Sequence, residues 1–185
     1  MRIVAGTARG RPLRAPTGRG TRPTSDRVRE AVFSMLSSMD ALEGAAVADL
    51  FAGSGALGIE ALSRGARAAV FVDDDRSAIE AVRANLAVLG DPDADIEVRH
   101  GDALAWAGRA PALDVVFADP PYAWDRWEEL LGLLRGRAAL VVVESDVPRE
   151  PGDGWETVRV KHYGSTVVTV IRAVDPRPDE RKPLR

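Results

Sequence analysis

Two short stretches of this chain hold residue types that could do chemistry at a fixed spacing. The first is Asp119-Pro120-Pro121-Tyr122, which closes the apolar run Leu113-Asp114-Val115-Val116-Phe117-Ala118. That run reads as a buried strand bounded by turn formers. Two successive prolines fix φ and remove two N–H donors, so the Asp119 and Pro120 carbonyls project from a sheet end instead of joining a ladder. A carboxylate, a carbonyl and an aromatic face are thereby held together. The trio suits a planar group carrying an exocyclic NH2: Asp119 and the Pro120 carbonyl accept its two N–H bonds while Tyr122 stacks on the ring. Alone, a Pro-Pro pair after a strand is more often a plain stop signal.

The second stretch lies upstream. Ala46-Val47-Ala48-Asp49-Leu50-Phe51 reads as a buried strand that runs into Ala52-Gly53-Ser54-Gly55-Ala56-Leu57-Gly58 and then into the helical Ile59–Arg64. This is G-x-G-x-x-G in a strand-to-helix setting, followed about twenty residues on by Asp73 at the end of Ala69-Val70-Phe71-Val72, where a carboxylate can hold ribose hydroxyls. A nucleoside cofactor is expected, with Phe51, Ala52, Gly53, Ser54, Gly55 and Asp73 around it. NAD sites share that spacing. Asp49, immediately before the loop, would repel a pyrophosphate but binds the ammonium of an amino-acid-bearing cofactor, which favours S-adenosylmethionine. Asp102, after the strand expected at Ile96–Arg99, is either an acceptor for the adenine amine or a solvated turn residue.

Several elements must position these groups. From an N-cap at Thr24 or Ser25 a helix is predicted to about Ser38, with Val28, Ala31, Val32, Met35, Leu36 and Met39 as its apolar stripe. A helix over Ser77–Leu89, the strand Leu113–Ala118, a helix over Asp125–Leu134 and a strand over Ala138–Glu144 continue the alternation. Glu156–His162 and Thr166–Arg172 form a hairpin around Gly164-Ser165. Strands alternating with helices give a doubly wound α/β sheet, and the closing hairpin inserts an antiparallel strand. Trp127 fits a core stripe with Leu130, Leu131 and Leu134. Trp124 is placed either to cap a base or to pack, Trp106 and Trp155 pack, and Glu144 ends its strand near the crevice, where it could position substrate.

The net charge of −3 hides an asymmetry. Residues 1–30 hold eight arginines against Asp26 and Glu30, so this stretch carries +6 and the remainder −9. Arginine's planar fork suits phosphates and stacks on unpaired bases, so Arg9, Arg11, Arg22 and Arg27 are candidate RNA contacts. The glycines and prolines among them predict a turn-rich flap, with Arg2–Ala5 pairing against Arg11–Arg14 and burying Ile3, Val4 and Leu13. Three regions follow: a basic arm over residues 1–23, one catalytic domain over 24–174, and a Pro- and charge-rich tail over 175–185 expected to be disordered. With 45% hydrophobic residues among 185, one sizeable core is the default. There is no cysteine, and two histidines far apart in sequence point to no metal. No membrane span or signal peptide is expected, and a reducing cytoplasm is the simplest home.

Asp-Leu-Phe-Ala-Gly-Ser-Gly-Ala-Leu-Gly at 49–58, Asp-Pro-Pro-Tyr at 119–122 and Arg-Pro-Thr-Ser-Asp-Arg-Val-Arg-Glu at 22–30 together resemble the RsmD family of bacterial 16S rRNA guanine-N2 methyltransferases. The likeness runs from Arg2 to about Val143. It implies a Rossmann-like seven-stranded methyltransferase fold, S-adenosylmethionine as cofactor, and a monomer acting on 16S rRNA in the small ribosomal subunit or its assembly intermediate. The loop and the Asp-Pro-Pro-Tyr turn are shared among amino-methyltransferases and do not separate guanine from adenine. The amino-terminal segment is the specific part. Methylation of adenine N6, an NAD-dependent oxidoreductase and a non-catalytic RNA-binding protein are the competing readings.

Overall fold

A computed structural model of the chain describes residues 1–17, 26–90 and 92–174. Its strands are β1 (Ala46–Leu50), β2 (Ala68–Asp73), β3 (Asp95–His100), β4 (Leu113–Ala118), β5 (Ala138–Ser145), β6 (Trp155–Tyr163) and β7 (Thr166–Ala173). They form one sheet in the order β3-β2-β1-β4-β5-β7-β6. The first five run parallel, and β7 lies antiparallel between β5 and β6. This is the doubly wound sheet with an inserted antiparallel strand expected from the alternation and the closing hairpin, in the Rossmann-like seven-stranded methyltransferase form that the family resemblance implies.

Helices α1 (Asp26–Ser38), α2 (Ala56–Ser63), α3 (Arg76–Leu86), α4 (Ala103–Ala107) and α5 (Trp127–Leu134) cover both faces. One core layer places Val28, Phe33 and Leu36 of α1 and Ile59 of α2 on Val47, Val115, Phe117 and Val142. The other places Leu104 of α4 and Trp127, Leu130 and Leu134 of α5 on Ala48, Leu50, Val116 and Val143. Strands buried on both faces read as unbroken apolar runs, which is why β1 and β4 are legible without alternation.

Three local expectations need correction. Helix α4 was not expected: its five residues are too few to show a period, and Asp102 is its N-cap, accepting the Ala105 N–H at 2.7 Å. In α1 the buried face is Val28, Arg29, Val32, Phe33 and Leu36, whereas Ala31, Met35 and Met39 are only partly covered. The cause is a second neighbour: α1 packs on the sheet through Phe33, whose ring lies 5.5 Å from Phe117, and also on the amino-terminal segment through Arg29. The helix after β2 ends at Leu86, and Ala87–Leu89 tighten into a 3₁₀ turn.

The hairpin of the first residues is present, with Arg2 bridged to Pro12 and backbone bonds joining Ile3 to Arg11 and Leu13 to Met1. It is docked, not free. Glu60 of α2 accepts the Val4 and Ala5 N–H groups at 2.7 and 2.9 Å, and Asn85 of α3 both accepts from and donates to Arg14 at 2.8 Å. Ile3, Ala8 and Leu13 are buried in the domain's own core. The boundary expected at 23/24, the N-cap at Thr24 or Ser25, Arg22 and the tail over 175–185 lie outside the described residues.

Candidate active site

In an open α/β sheet the carboxyl ends of the central strands flank the ligand crevice, and here β1 and β4 are neighbours, with Leu50 beside Ala118. The glycine loop leaves β1 through left-handed backbone at Phe51 (φ 61°), Gly53 (φ 55°) and Gly55 (φ 75°). For a bulky residue such as Phe51 that conformation costs about 1–3 kcal/mol and persists only where its surroundings hold it. Hydrogen bonds supply the restraint. Asp73 accepts the Gly53 N–H at 2.8 Å and the Asp75 N–H at 2.9 Å, and Asp49 accepts the Gly58 N–H at 2.8 Å. Gly58 is the closest helix–strand contact: a Cβ there would lie 2.3 Å from the Phe71 ring.

A cavity of about 580 Å³ opens above these ends, within the range that holds a drug-sized or nucleoside ligand. Of the residues singled out in the sequence, Asp49, Phe51, Ala52, Gly53, Ser54, Asp73, Asp119, Pro120 and Tyr122 line it together. Gly55 does not line it and is the N-cap of α2. Asp102 borders a smaller adjoining cavity of about 140 Å³, with Trp124, Phe51 and Asp73. Trp124 stands edge-on between Phe51 at 5.1 Å and Trp127 at 4.9 Å, so it shapes that side pocket while Trp127 stays in the core. Arg9, Arg11 and Arg27 line neither cavity and are exposed, with the Arg11 guanidinium on the Val88 carbonyl.

Sequence reasoning missed one wall. Met1, Ala15, Pro16 and Val28 also line the cavity, and Met1 Sδ lies 3.4 Å from Ser54 Oγ. No local signal announces this, because it follows from the long-range pairing of the hairpin with Glu60 and Asn85. Tyr163 and Thr166 line the cavity as well, and the Tyr122 hydroxyl meets Thr166 Oγ1 at 3.2 Å.

Asp49 is the electrostatic centre. Its side chain is buried, and burial pushes its carboxyl up to about 8, aided by the negative charges of Asp119 and Asp73 and opposed by the Gly58 N–H. Burial also raises Asp73, with Asp74 and Asp75 adding repulsion against two backbone N–H bonds. Because the Asp49 value lies above the 3.8 of an unperturbed carboxyl, the folded protein keeps a proton that the unfolded chain releases. Stability without ligand therefore falls as pH rises between about 4 and 8, by up to about 1.4 kcal/mol per pH unit from this group. Urea unfolding at several pH values checks it: Asp49→Asn should flatten the slope, and an equal slope would contradict the assignment. A buried acid held protonated for want of a counter-charge is a ready partner for a cation.

The family model described as "Conserved hypothetical protein 95" matches residues 1–172. The chain is 38% identical over 174 residues to Ribosomal RNA small subunit methyltransferase D of Escherichia coli K12, covering 89% of this chain and 85% of that protein. The chain belongs to the RsmD family. YlbH of Bacillus subtilis strain 168 is 38% identical over 185 residues, covering 93% of this chain and 98% of its own length. Among solved structures, the Escherichia coli protein yhhF superposes with a TM-score of 0.81 at 35% identity, covering 94% of this chain and 97% of that one. The family match includes the docked hairpin, the glycine loop and the Asp119 turn.

Proposed function

We propose that this protein transfers a methyl group from S-adenosylmethionine to the exocyclic N2 amine of a guanine in 16S rRNA, within the small ribosomal subunit or its assembly intermediate, in the cytoplasm. The observation that carries this is the meeting of the Asp119-Pro120-Pro121-Tyr122 turn and the glycine loop in one cavity around the buried Asp49. S-adenosylmethionine supplies a methyl group already activated on a sulfonium. Asp49 takes its ammonium, Asp73 its ribose hydroxyls, and the side pocket at Asp102 and Trp124 its adenine. An NAD-dependent reaction leaves the Asp119 turn without a role and sets Asp49 against a pyrophosphate.

The rest of the chemistry is positioning. Asp119 and the Pro120 carbonyl accept the two N–H bonds of the target amine, turn its lone pair toward the methyl group and stabilise the positive charge that develops on nitrogen. Tyr122, braced by Thr166, stacks on a base that is unpaired or flipped out of its helix. Binding a cation beside Asp49 favours its charged form, so cofactor binding near pH 7 releases a proton from this group. Calorimetry in two buffers of different ionisation enthalpy reads that release, and Asp49→Asn should abolish it.

Exposed Arg9 and Arg27 are assigned to rRNA phosphates, together with Arg11 and Arg22. Replacing Arg9 or Arg27 by alanine should flatten the dependence of log affinity on log salt by about 0.7–0.9 per contact. RNA binding measured at several salt concentrations decides it, and an unchanged slope would leave these arginines a structural role. The reaction itself is tested by incubating small subunits with methyl-labelled S-adenosylmethionine and analysing the nucleosides by mass spectrometry. N2-methylguanosine is expected. Label on adenine N6 would overturn the base assignment, and no label on RNA would overturn the activity.

A further inference from the structure

Glu144 is the penultimate residue of β5 and is 9% exposed, yet it lines the same cavity as Asp119. The two are neighbours by register. Ala118, the last residue of β4, pairs with Val143, so Asp119 and Glu144 are the next residues on neighbouring parallel chains. Both line the one cavity, each immediately after a residue of the same core layer, Ala118 and Val143. On the far flank Val168 of β7 pairs with Glu144, and Thr166, two residues earlier on the same face, holds the Tyr122 hydroxyl. A base stacked on Tyr122 therefore offers its edge to two carboxyl groups side by side.

We infer that Glu144 selects guanine by accepting the ring N1–H next to the amine that Asp119 holds; this rests on the guanine-N2 reading above. A guanine presents two adjacent donors on that edge, N2–H and N1–H, and two neighbouring carboxylates are acceptors for both. Adenine presents its amine beside a bare N1 lone pair. A carboxylate facing that lone pair loses its hydrogen bond and meets a like partial charge, which is how a buried polar site rejects an analogue lacking one donor. Glu144 is thus a specificity residue whose effect appears in the choice of base.

The test uses the full-length protein, S-adenosylmethionine and small-subunit rRNA carrying, at the target position, either guanine or 2-aminopurine. The latter keeps the exocyclic amine and lacks the N1–H. In single-turnover methylation the parent should favour guanine by about a hundred- to a thousandfold. Glu144→Gln, whose amide can donate to a bare N1, should bring the two rates within about tenfold of each other. The ratio is taken within one variant, so loss of folded protein cancels. Parent rates equal within a few-fold would overturn the role of Glu144 while leaving guanine-N2 methylation standing, and so would a Glu144→Gln ratio matching the parent's. If Glu144→Gln does not fold, Glu144→Ala takes its place: because 2-aminopurine lacks O6 as well as N1–H, the role of Glu144 is read from the change in ratio between parent and variant, and an unchanged ratio overturns it. A parent that leaves guanine unmethylated fails at the earlier step and takes this inference with it.

Discussion

Asp119→Ala is expected to slow single-turnover methylation by about a hundred- to a thousandfold while leaving S-adenosylmethionine binding nearly intact. The side chain accepts a hydrogen bond whose strength grows as the amine becomes cationic, so its loss falls on the transition state more than on ground-state binding. Cofactor affinity has a further reason to hold. The charge on Asp119 is one of the causes that push the Asp49 carboxyl up, so removing it lets Asp49 ionise more readily for the cofactor ammonium. Rapid-quench methylation with saturating RNA, beside cofactor titration of the same variant, separates the two effects. A folded variant that methylates within a few-fold of the parent would reduce Asp119-Pro120-Pro121-Tyr122 to a strand terminator.

Glu60→Ala should be the most destabilising single change at the base of the hairpin, by about 3–5 kcal/mol. Glu60 and Arg29 are both fully buried, with Arg29 Nε 3.9 Å from Glu60 Oε2. Arg29 also donates to the Arg2 carbonyl and to Asp26, and Glu60 receives Arg64 Nε at 2.8 Å besides the Val4 and Ala5 N–H groups. Truncating the acid leaves the Val4 and Ala5 N–H groups without their acceptor and takes from the buried Arg29 guanidinium one of its two neighbouring carboxylates, each a penalty in its own right. Against a total stability of about 5–15 kcal/mol, the loss is large. The urea midpoint should drop sharply, with faster amide exchange at Val4 and Ala5. A change below about 1 kcal/mol would mean that the apolar contacts of Ile3, Ala8 and Leu13 alone seat the hairpin.

What could be read in advance follows from where the information sits. Strands β1 and β4 and the groups at their ends, Asp49 and Asp119, were legible because each is a local run ended by an abrupt punctuation, glycines in one case and prolines in the other. Their meeting in one cavity followed from the strand-end rule for α/β sheets. Arg29 was not legible: within α1 it sits one position off the apolar stripe, and its burial is made tolerable by Asp26 together with partners distant in sequence, the Arg2 carbonyl and Glu60. Asp73 and Asp102 were legible as acids following strands, but not as the acceptor of the Gly53 N–H and the N-cap of α4. The hairpin was legible from its glycines, prolines and the apolar Ile3 and Leu13, but the wall formed by Met1, Ala15 and Pro16 was not, since nothing local says where the hairpin docks.

That wall bears on the order in which the molecule can assemble. Val4, Ala5 and Ala8 wait for acceptors on Glu60 and Ser63, which lie 55 to 56 positions later in the chain, and Arg14 waits for Asn85, 71 positions later. At roughly 5–20 residues per second of synthesis, the leading segment remains unseated for several seconds after it is made. Seating the hairpin on α2 and α3 then brings Met1, Ala15 and Pro16 to the cavity, so a chain caught before α3 emerges lacks that wall.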